Sequence, residues 1–349
     1  MPVIKQHISI AARGLRAFLN LEAGFVRVVP EVRQAQGQRA VQNSKQGPWQ
    51  DANENGGKPA ERAGGSVKPE NIVWIFGSGR SGSTWLSSMM GDMSDQVMWG
   101  EPWVGTLFGN FYYGQAEKRK NHPQFILGRH RENWIGSIRT FVLNAAAATF
   151  PQLREDDYLI IKEPNGSIGS PLLMEALPES SMIFLIRDPR DVVASSMDAR
   201  SEGSWLSGRR EDQGRTSKSQ RNPNSYVRTR ANSYVQQIEK TSQAYSAHGG
   251  RKVMVRYEDL RADTLDTMKR VYAGLEIPVD EGELARAVEK HSWENIPEEA
   301  KGEGKKRRKA RPGGWRDDLT PRQVEIVEEI TAPLLEEFYP DVATTRGAL

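Results

Sequence analysis

The chain has 349 residues, with 48 Lys and Arg against 45 Asp and Glu, a hydrophobic share of 37% and no cysteine. A net charge of +3 argues against a protein dedicated to coating nucleic acid. The missing cysteines exclude disulfides, thiolate nucleophiles, Cys-ligated zinc and iron–sulfur clusters.

Residues 1–29 carry a basic amphipathic helical pattern, with Ile8, Leu15, Phe18 and Leu19 toward one side. Two readings apply to it, a helix packed on the domain or a membrane-surface or transit role. Arg13, Arg16, Glu22 and Arg27 interrupt the stretch, which therefore lacks the apolar core of a signal peptide. No apolar run approaches the roughly 18–20 residues that span a bilayer, and the expected location is cytoplasmic. Residues 31–70 contain no Leu, Ile, Met or Phe. Such a segment buries too little apolar surface to offset its conformational entropy, so 30–70 reads as a disordered linker. The ordered part is expected over 71–340, followed by a tail at 341–349.

From Ile72 to Phe76 the sequence is continuously apolar, the mark of a strand buried on both faces of a parallel sheet. A Gly/Ser-rich turn leads into a helix through about Met93. Further strands are expected at 97–99, 158–162, 181–186 and 252–257, with helical segments between them. Near the end, Thr320, Pro321 and Gln323 have the order of a capping box, and Val327, Ile330, Leu334 and Phe338 line one face of the helix that follows. The predicted fold is α/β, a single domain with a P-loop-like parallel sheet flanked by helices.

The turn "GSGRSGST" at 77–84 joins a buried strand to a helix N-terminus, where backbone N–H groups suit an anionic phosphate. Gly77 and Gly82 have Walker A spacing, yet Ser83 stands where that motif has lysine, and the cation comes earlier, as Arg80. A second phosphate element is "IRDPRDVVASS", in which Asp188 and Pro189 begin a helix directly after a strand. Arg187 and Ser195 sit eight residues apart there, at a strand's carboxyl end, where open α/β sheets bind ligands.

The run Arg80, Ser81, Gly82, Ser83, Thr84 and Trp85 resembles the 5′-phosphosulfate loop of sulfotransferases that use 3′-phosphoadenosine 5′-phosphosulfate (PAPS). Arginine in the first place is more similar to the tyrosylprotein and Golgi carbohydrate enzymes than to the cytosolic ones. The resemblance implies that Arg80 grips the 5′-phosphate and the bridging oxygen. It also implies that Trp85 packs against adenine, beside the plainer reading of a helix residue in the core. Arg187 and Ser195 match the family's 3′-phosphate element. "HSWENI" resembles its adenine segment through Ser292 and Trp293. "RYEDL" resembles its Tyr-Glu-Asp element through Tyr257, which reads equally as an ordinary strand-end tyrosine. In the basic run 305–316, Arg308 and Lys309 fall where the family clamps the 3′-phosphate, with Ala310 in place of a glycine and Gly314 in place of an aspartate. The implied co-substrate is PAPS, the product adenosine 3′,5′-bisphosphate, and no metal is expected.

The implied chemistry moves a sulfuryl group onto a hydroxyl of a carbohydrate, lipid or peptide. Lys162 is a second cation for the transferring group, because the family often has a lysine on that strand. The histidine that cytosolic members use as base would fall at Pro164, and none of His7, His122, His130, His248 and His291 has a catalytic setting. Glu101, just past the second strand, is therefore the expected base, with Glu163 as runner-up. Residues 200–230 hold eight Lys and Arg and read as a mobile flap over the site. Rival readings are an ATP- or GTP-dependent P-loop phosphotransferase, which the missing lysine disfavours, and a non-catalytic protein binding anions or nucleic acid through its basic run.

Overall fold

The structure, a computed structural model, describes residues 67–116, 119, 131–201, 203–204, 222–305 and 309–340. The amphipathic segment 1–29, most of the linker and of the flap, Arg308 and the tail 341–349 lie outside the described residues. The expected linker overlaps them only at 67–70, where Val67 is buried and Lys68 pairs with Glu155 at 2.8 Å.

Five strands form the sheet: β1 (Ile72–Gly77), β2 (Gln96–Gly100), β3 (Tyr158–Lys162), β4 (Ser181–Ile186) and β5 (Lys252–Arg256). Their order is β2-β3-β1-β4-β5, and every pair is parallel. Alternation along β1 explains its apolar run. Ile72, Trp74 and Phe76 pack on one face with Ile138 and Val142 of α3 (Arg131–Thr149) and Leu172 of α4 (Ser170–Ala176). Val73 and Ile75 pack on the other with Leu86 and Met89 of α1 (Ser83–Met90) and Val271 of α8 (Thr264–Leu275). Residues that face apolar layers on both sides cannot alternate with polar ones.

The remaining helices are α2 (Val104–Phe111), α5 (Pro189–Asp198), α6 (Pro223–Ala247), α7 (Tyr257–Ala262), α9 (Glu281–Lys290), α10 (Trp315–Asp318) and α11 (Pro321–Phe338). Tyr234 and Ile238 of α6 and Leu334 and Leu335 of α11 close over Phe184 and Ile186 of β4. The capping box on α11 is present, with Thr320 and Gln323 each bonding the other's backbone. Among the described residues, no helix is long and apolar enough to cross a membrane.

Two boundaries differ from expectation. The register of β4 with β5 ends at Ile186 and Arg256, so Tyr257 has no strand partner and instead opens α7. Helix α1 ends at Met90, because Gly91 caps it and Met93 tucks into the core.

A parallel sheet places all strand carboxyl ends along one edge. The chain leaves central β1 toward β2 on one side and later fills β4 and β5 on the other. Such a reversal opens a crevice beyond the strand ends. Gly77 closes β1 there, and a Cβ on it would lie 2.1 Å from the carbonyl oxygen of Leu185. Backbone on both sides leaves no room to yield. Gly77→Ala should lower stability by about 2–3 kcal/mol, as overpacking in a rigid core does. An unchanged urea midpoint would contradict this packing.

Candidate active site

The turn after β1 wraps the N-terminus of α1. Gly82 has φ 95° and caps the helix. A Cβ there would lie 2.5 Å from the Tyr257 ring, so glycine lets that ring seat beneath the turn. Arg80 also takes the left-handed region, at φ 75°, which turns the backbone around the helix end. The first N–H groups of a helix lack intrahelical partners and carry partial positive charge. Beside them, the Ser81 hydroxyl is buried without a hydrogen-bond partner.

Arg187 emerges directly from β4 onto this turn. Its guanidinium lies 4.2 Å from the Tyr257 ring centroid, donates to the Arg80 carbonyl at 3.2 Å and stands 3.7 Å from Asp191. Its Nε is buried without a partner. Arg80 Nε donates to Ser195 Oγ at 3.1 Å. The two phosphate-type elements of the sequence therefore meet in one cluster.

A third arginine escaped sequence reasoning. Arg230 of α6 donates from Nη2 to Ser78 Oγ (2.7 Å) and the Gly79 carbonyl (2.8 Å), and from Nε to Ser196 Oγ (3.0 Å). Burial pushes its pKa down, yet a guanidinium keeps its proton in proteins. These partners are all neutral. The available signal was positional, since Val227, Ala231, Tyr234 and Ile238 make the buried stripe of α6 and Arg230 falls beside it.

An aromatic wall flanks the turn. Trp85 meets Tyr257 edge to face at 6.2 Å, lies under Arg261 and donates from its indole to the His291 carbonyl at 2.8 Å. That last bond draws the segment with Ser292 and Trp293 toward α1. Ser292 Oγ accepts from the Asn295 N–H at 3.3 Å, and Lys301 stands over the Trp293 ring at 5.3 Å. The glycine-bearing loop near the C-terminal end is anchored by Asp191, which accepts from the N–H groups of Gly313 (2.8 Å) and Trp315 (3.0 Å). Ala310 adopts φ 47°, in the left-handed region that glycine enters most freely. The Lys309 ammonium is directed to Asp318 at 2.7 Å, not onto Arg187 or Ser195.

On the other side of β1, the register pairs Gly100 with Lys162, which sets the ends of β2 and β3 side by side. The Lys162 ammonium pairs there with the Glu101 carboxylate. Asn165 Nδ2 donates to the second Glu101 oxygen at 2.7 Å. A Cβ on Gly79 would lie 2.6 Å from Asn165 Oδ1. One asparagine thus spans from the carboxylate–ammonium pair to the phosphate-type turn.

The sequence model of the Sulfotransferase family matches residues 73–281, which include this turn, Arg187, Ser195 and the Glu101–Lys162 pair. The chain belongs to the sulfotransferase family. Among solved structures it is similar to the sulfotransferase STF9 from Mycobacterium avium, at 13% identity over 78% of each chain with a TM-score of 0.49. It is also similar to mouse sulfotransferase SULT7A1 complexed with PAP, at 14% identity over 80% of this chain and 88% of that one, with a TM-score of 0.46. No curated protein matches the sequence.

In this sulfotransferase, Glu163 stands apart from the Glu101–Lys162 pair. It is buried, and its carboxylate accepts from the Trp103 N–H at 3.0 Å. That bond holds a loop in which both Glu101 and Trp103 are left-handed, at φ 54° and 64°. Burial pushes the Glu163 pKa up to about 7; the Trp103 N–H works against the rise, and the Glu101 charge adds to it. The folded protein then binds this proton more tightly than the unfolded chain. Stability from this group is greatest below about pH 4.5 and is lost as pH rises toward about 7. Glu163→Gln keeps an acceptor for Trp103 and removes the titration, so urea midpoints should fall less across that window than in wild type. An identical pH slope in both proteins would refute the shift.

Proposed function

We propose that this sulfotransferase moves the sulfuryl group of PAPS to a hydroxyl of a carbohydrate, lipid or peptide acceptor. The observation that carries the reading is the Arg80–Ser195 bond together with the Arg187 bond to the Arg80 carbonyl. It joins a 5′-phosphate type of turn to a 3′-phosphate type of arginine–serine pair. The residues present fit a bisphosphorylated nucleotide. Ser81 Oγ and Arg187 Nε are buried donors without partners, and Arg230 brings a further cation that donates to Ser78, Gly79 and Ser196, all neutral. Charge-assisted bonds to phosphate oxygens suit all three.

On this reading Ser81, Gly82, Ser83 and Thr84 offer their backbone and hydroxyl groups to the 5′-phosphate. Arg187 and Ser195 take the 3′-phosphate, with Arg308 of the basic loop as a further cation and Lys309 as another once it leaves Asp318. Trp85, Tyr257, Ser292 and Trp293 enclose adenine. PAPS supplies an activated sulfuryl group, whose bond to the 5′-phosphate oxygen breaks as the acceptor oxygen bonds to sulfur. Arg80 and Lys162 stabilise the negative charge gathering on that phosphate oxygen. Glu101 takes the acceptor's proton. Asn165 and Lys162 fix its carboxylate for the task, and Glu163 acts on the loop that presents it. Arg230 braces the turn through Ser78 and Gly79 and adds its charge there.

Adenosine 3′,5′-bisphosphate should therefore raise the melting temperature well above the shift given by ADP or ATP, without Mg²⁺. Arg187→Ala should erase most of the difference. Equal shifts from ADP and the bisphosphate would reject the nucleotide assignment.

Glu101→Gln should lower turnover by about 10²–10⁴, the usual contribution of a general base, while bisphosphate affinity stays near wild type. Near-normal turnover in Glu101→Gln with an inactive Glu163→Gln would transfer the role to Glu163.

A further inference from the structure

Helix α2 begins beside Glu101 and carries apolar side chains to which the reading above gives no task. Leu107 and Phe111 lie four residues apart on one side of the helix, and Trp103 is the residue that caps it. Trp103, Leu107 and Phe111 are 56%, 55% and 47% exposed. The opposite side is seated backbone to backbone on the turn Pro164–Gly169. A Cβ on Gly105 would lie 2.1 Å from the Gly166 carbonyl oxygen, and one on Gly109 would lie 2.6 Å from the Gly169 nitrogen. Contact this close fixes the rotation of α2 about its own axis. Trp103 and Leu107 face outward because the glycines must face inward.

Trp103 is constrained a second time. Its left-handed backbone costs about 1–2 kcal/mol in a residue with a Cβ, and the buried Glu163 carboxylate holds it there through the N–H. Strain of this kind persists where the surroundings impose it and gathers at functional sites. Here it holds out an indole that folding leaves more than half in water. A further exposed ring, Phe141 of α3 (46% exposed), meets the buried Phe108 of α2 edge to face at 5.4 Å. Contiguous apolar surface rigidly held next to a reactive pair marks a place where something apolar binds. The sequence of α2, VGTLFGNF, has no charged side chain to meet an ionic group.

We infer that this row is the acceptor platform of the sulfotransferase, and that the acceptor is an alcohol with an apolar body. That body lies along Trp103 and Leu107 while its hydroxyl reaches Glu101. The inference rests on Glu101 being the base and narrows the acceptor from hydroxyl compounds in general to amphipathic ones. Continuity decides the occupant: the row starts two residues from the carboxylate that takes the proton, so an acceptor seated at Glu101 meets Trp103 first.

Methyl and octyl β-glucoside present the same sugar hydroxyls and differ only in the apolar tail. Each is titrated by calorimetry into the full chain saturated with adenosine 3′,5′-bisphosphate, with octyl glucoside kept below its micelle threshold. Octyl glucoside should bind about 10-fold tighter or better, as expected when several methylenes leave water. The double variant Trp103→Ala, Leu107→Ala should lose that advantage while binding the bisphosphate as wild type does. Equal affinity for the two glucosides, or an advantage that survives in the double variant, would overturn the platform. Bisphosphate affinity is read separately, so its absence in wild type would bring down the nucleotide reading together with the platform. Its presence without an octyl preference would remove the platform alone. Sedimentation of both proteins completes the test: a wild-type dimer abolished by the double variant would make the row a contact between copies and overturn the inference.

Discussion

Positive charge gathered on a single turn is the condition around which the rest of this protein is arranged. Arg80, Arg187 and Arg230 all bond to the segment between β1 and α1 or to the serines beside it. Like charges held close repel, and the interior gives them little water to screen it. Asp191 offsets part of the load, but at 3.7 Å it is a loose partner for Arg187 and spends its oxygens on two backbone N–H groups. Burial raises the Asp191 pKa, while Arg187 and those N–H groups oppose the rise. A tightly paired aspartate would have satisfied the arginines and left little for an anion to do. The looser arrangement keeps donors available, and the buried sheet beneath supplies the rigidity that holds them together.

Across β1 the electrostatics take the opposite form. Glu101 and Lys162 neutralise each other at the adjoining ends of β2 and β3, and the exposed surface beyond them is apolar. The strand ends thus have a cationic side at the turn after β1 and a nearly neutral side at Glu101 and Lys162. Asn165, bonded to Glu101 and pressed on Gly79, is the hinge of the two. The same short turn seats Gly105 and Gly109, so the orientation of α2 and the position of Glu101 share one support.

What could be read from sequence followed from local rules. Ile72–Phe76 announced a central strand because only a strand covered on both faces is apolar throughout, and the glycines after it announced the turn. Neighbouring side chains at a strand end point to opposite sides, and here Lys162 meets Glu101 while Glu163 turns inward to Trp103. Arg230 stayed hidden because the buried stripe of α6 marks only the side of the helix it stands on, while its role depends on where that helix crosses the sheet. The pairing of Lys309 with Asp318 depends on a loop closing between them. Ala310 at φ 47° could not be foreseen either, since alanine gives no local reason to enter a region that glycine enters freely.

Asp191 has a consequence for the order in which the molecule comes into being. Its carboxylate, at the start of α5, accepts from Gly313 and Trp315, more than a hundred positions further along the chain. On a ribosome, β1 to β5 are all made before those two residues are joined to the chain. At that stage Asp191 lacks both of the backbone donors it holds in the finished protein. The loop that carries them can be seated only after every strand of the sheet has been made, so the C-terminal part of the chain closes a site whose other walls precede it in sequence.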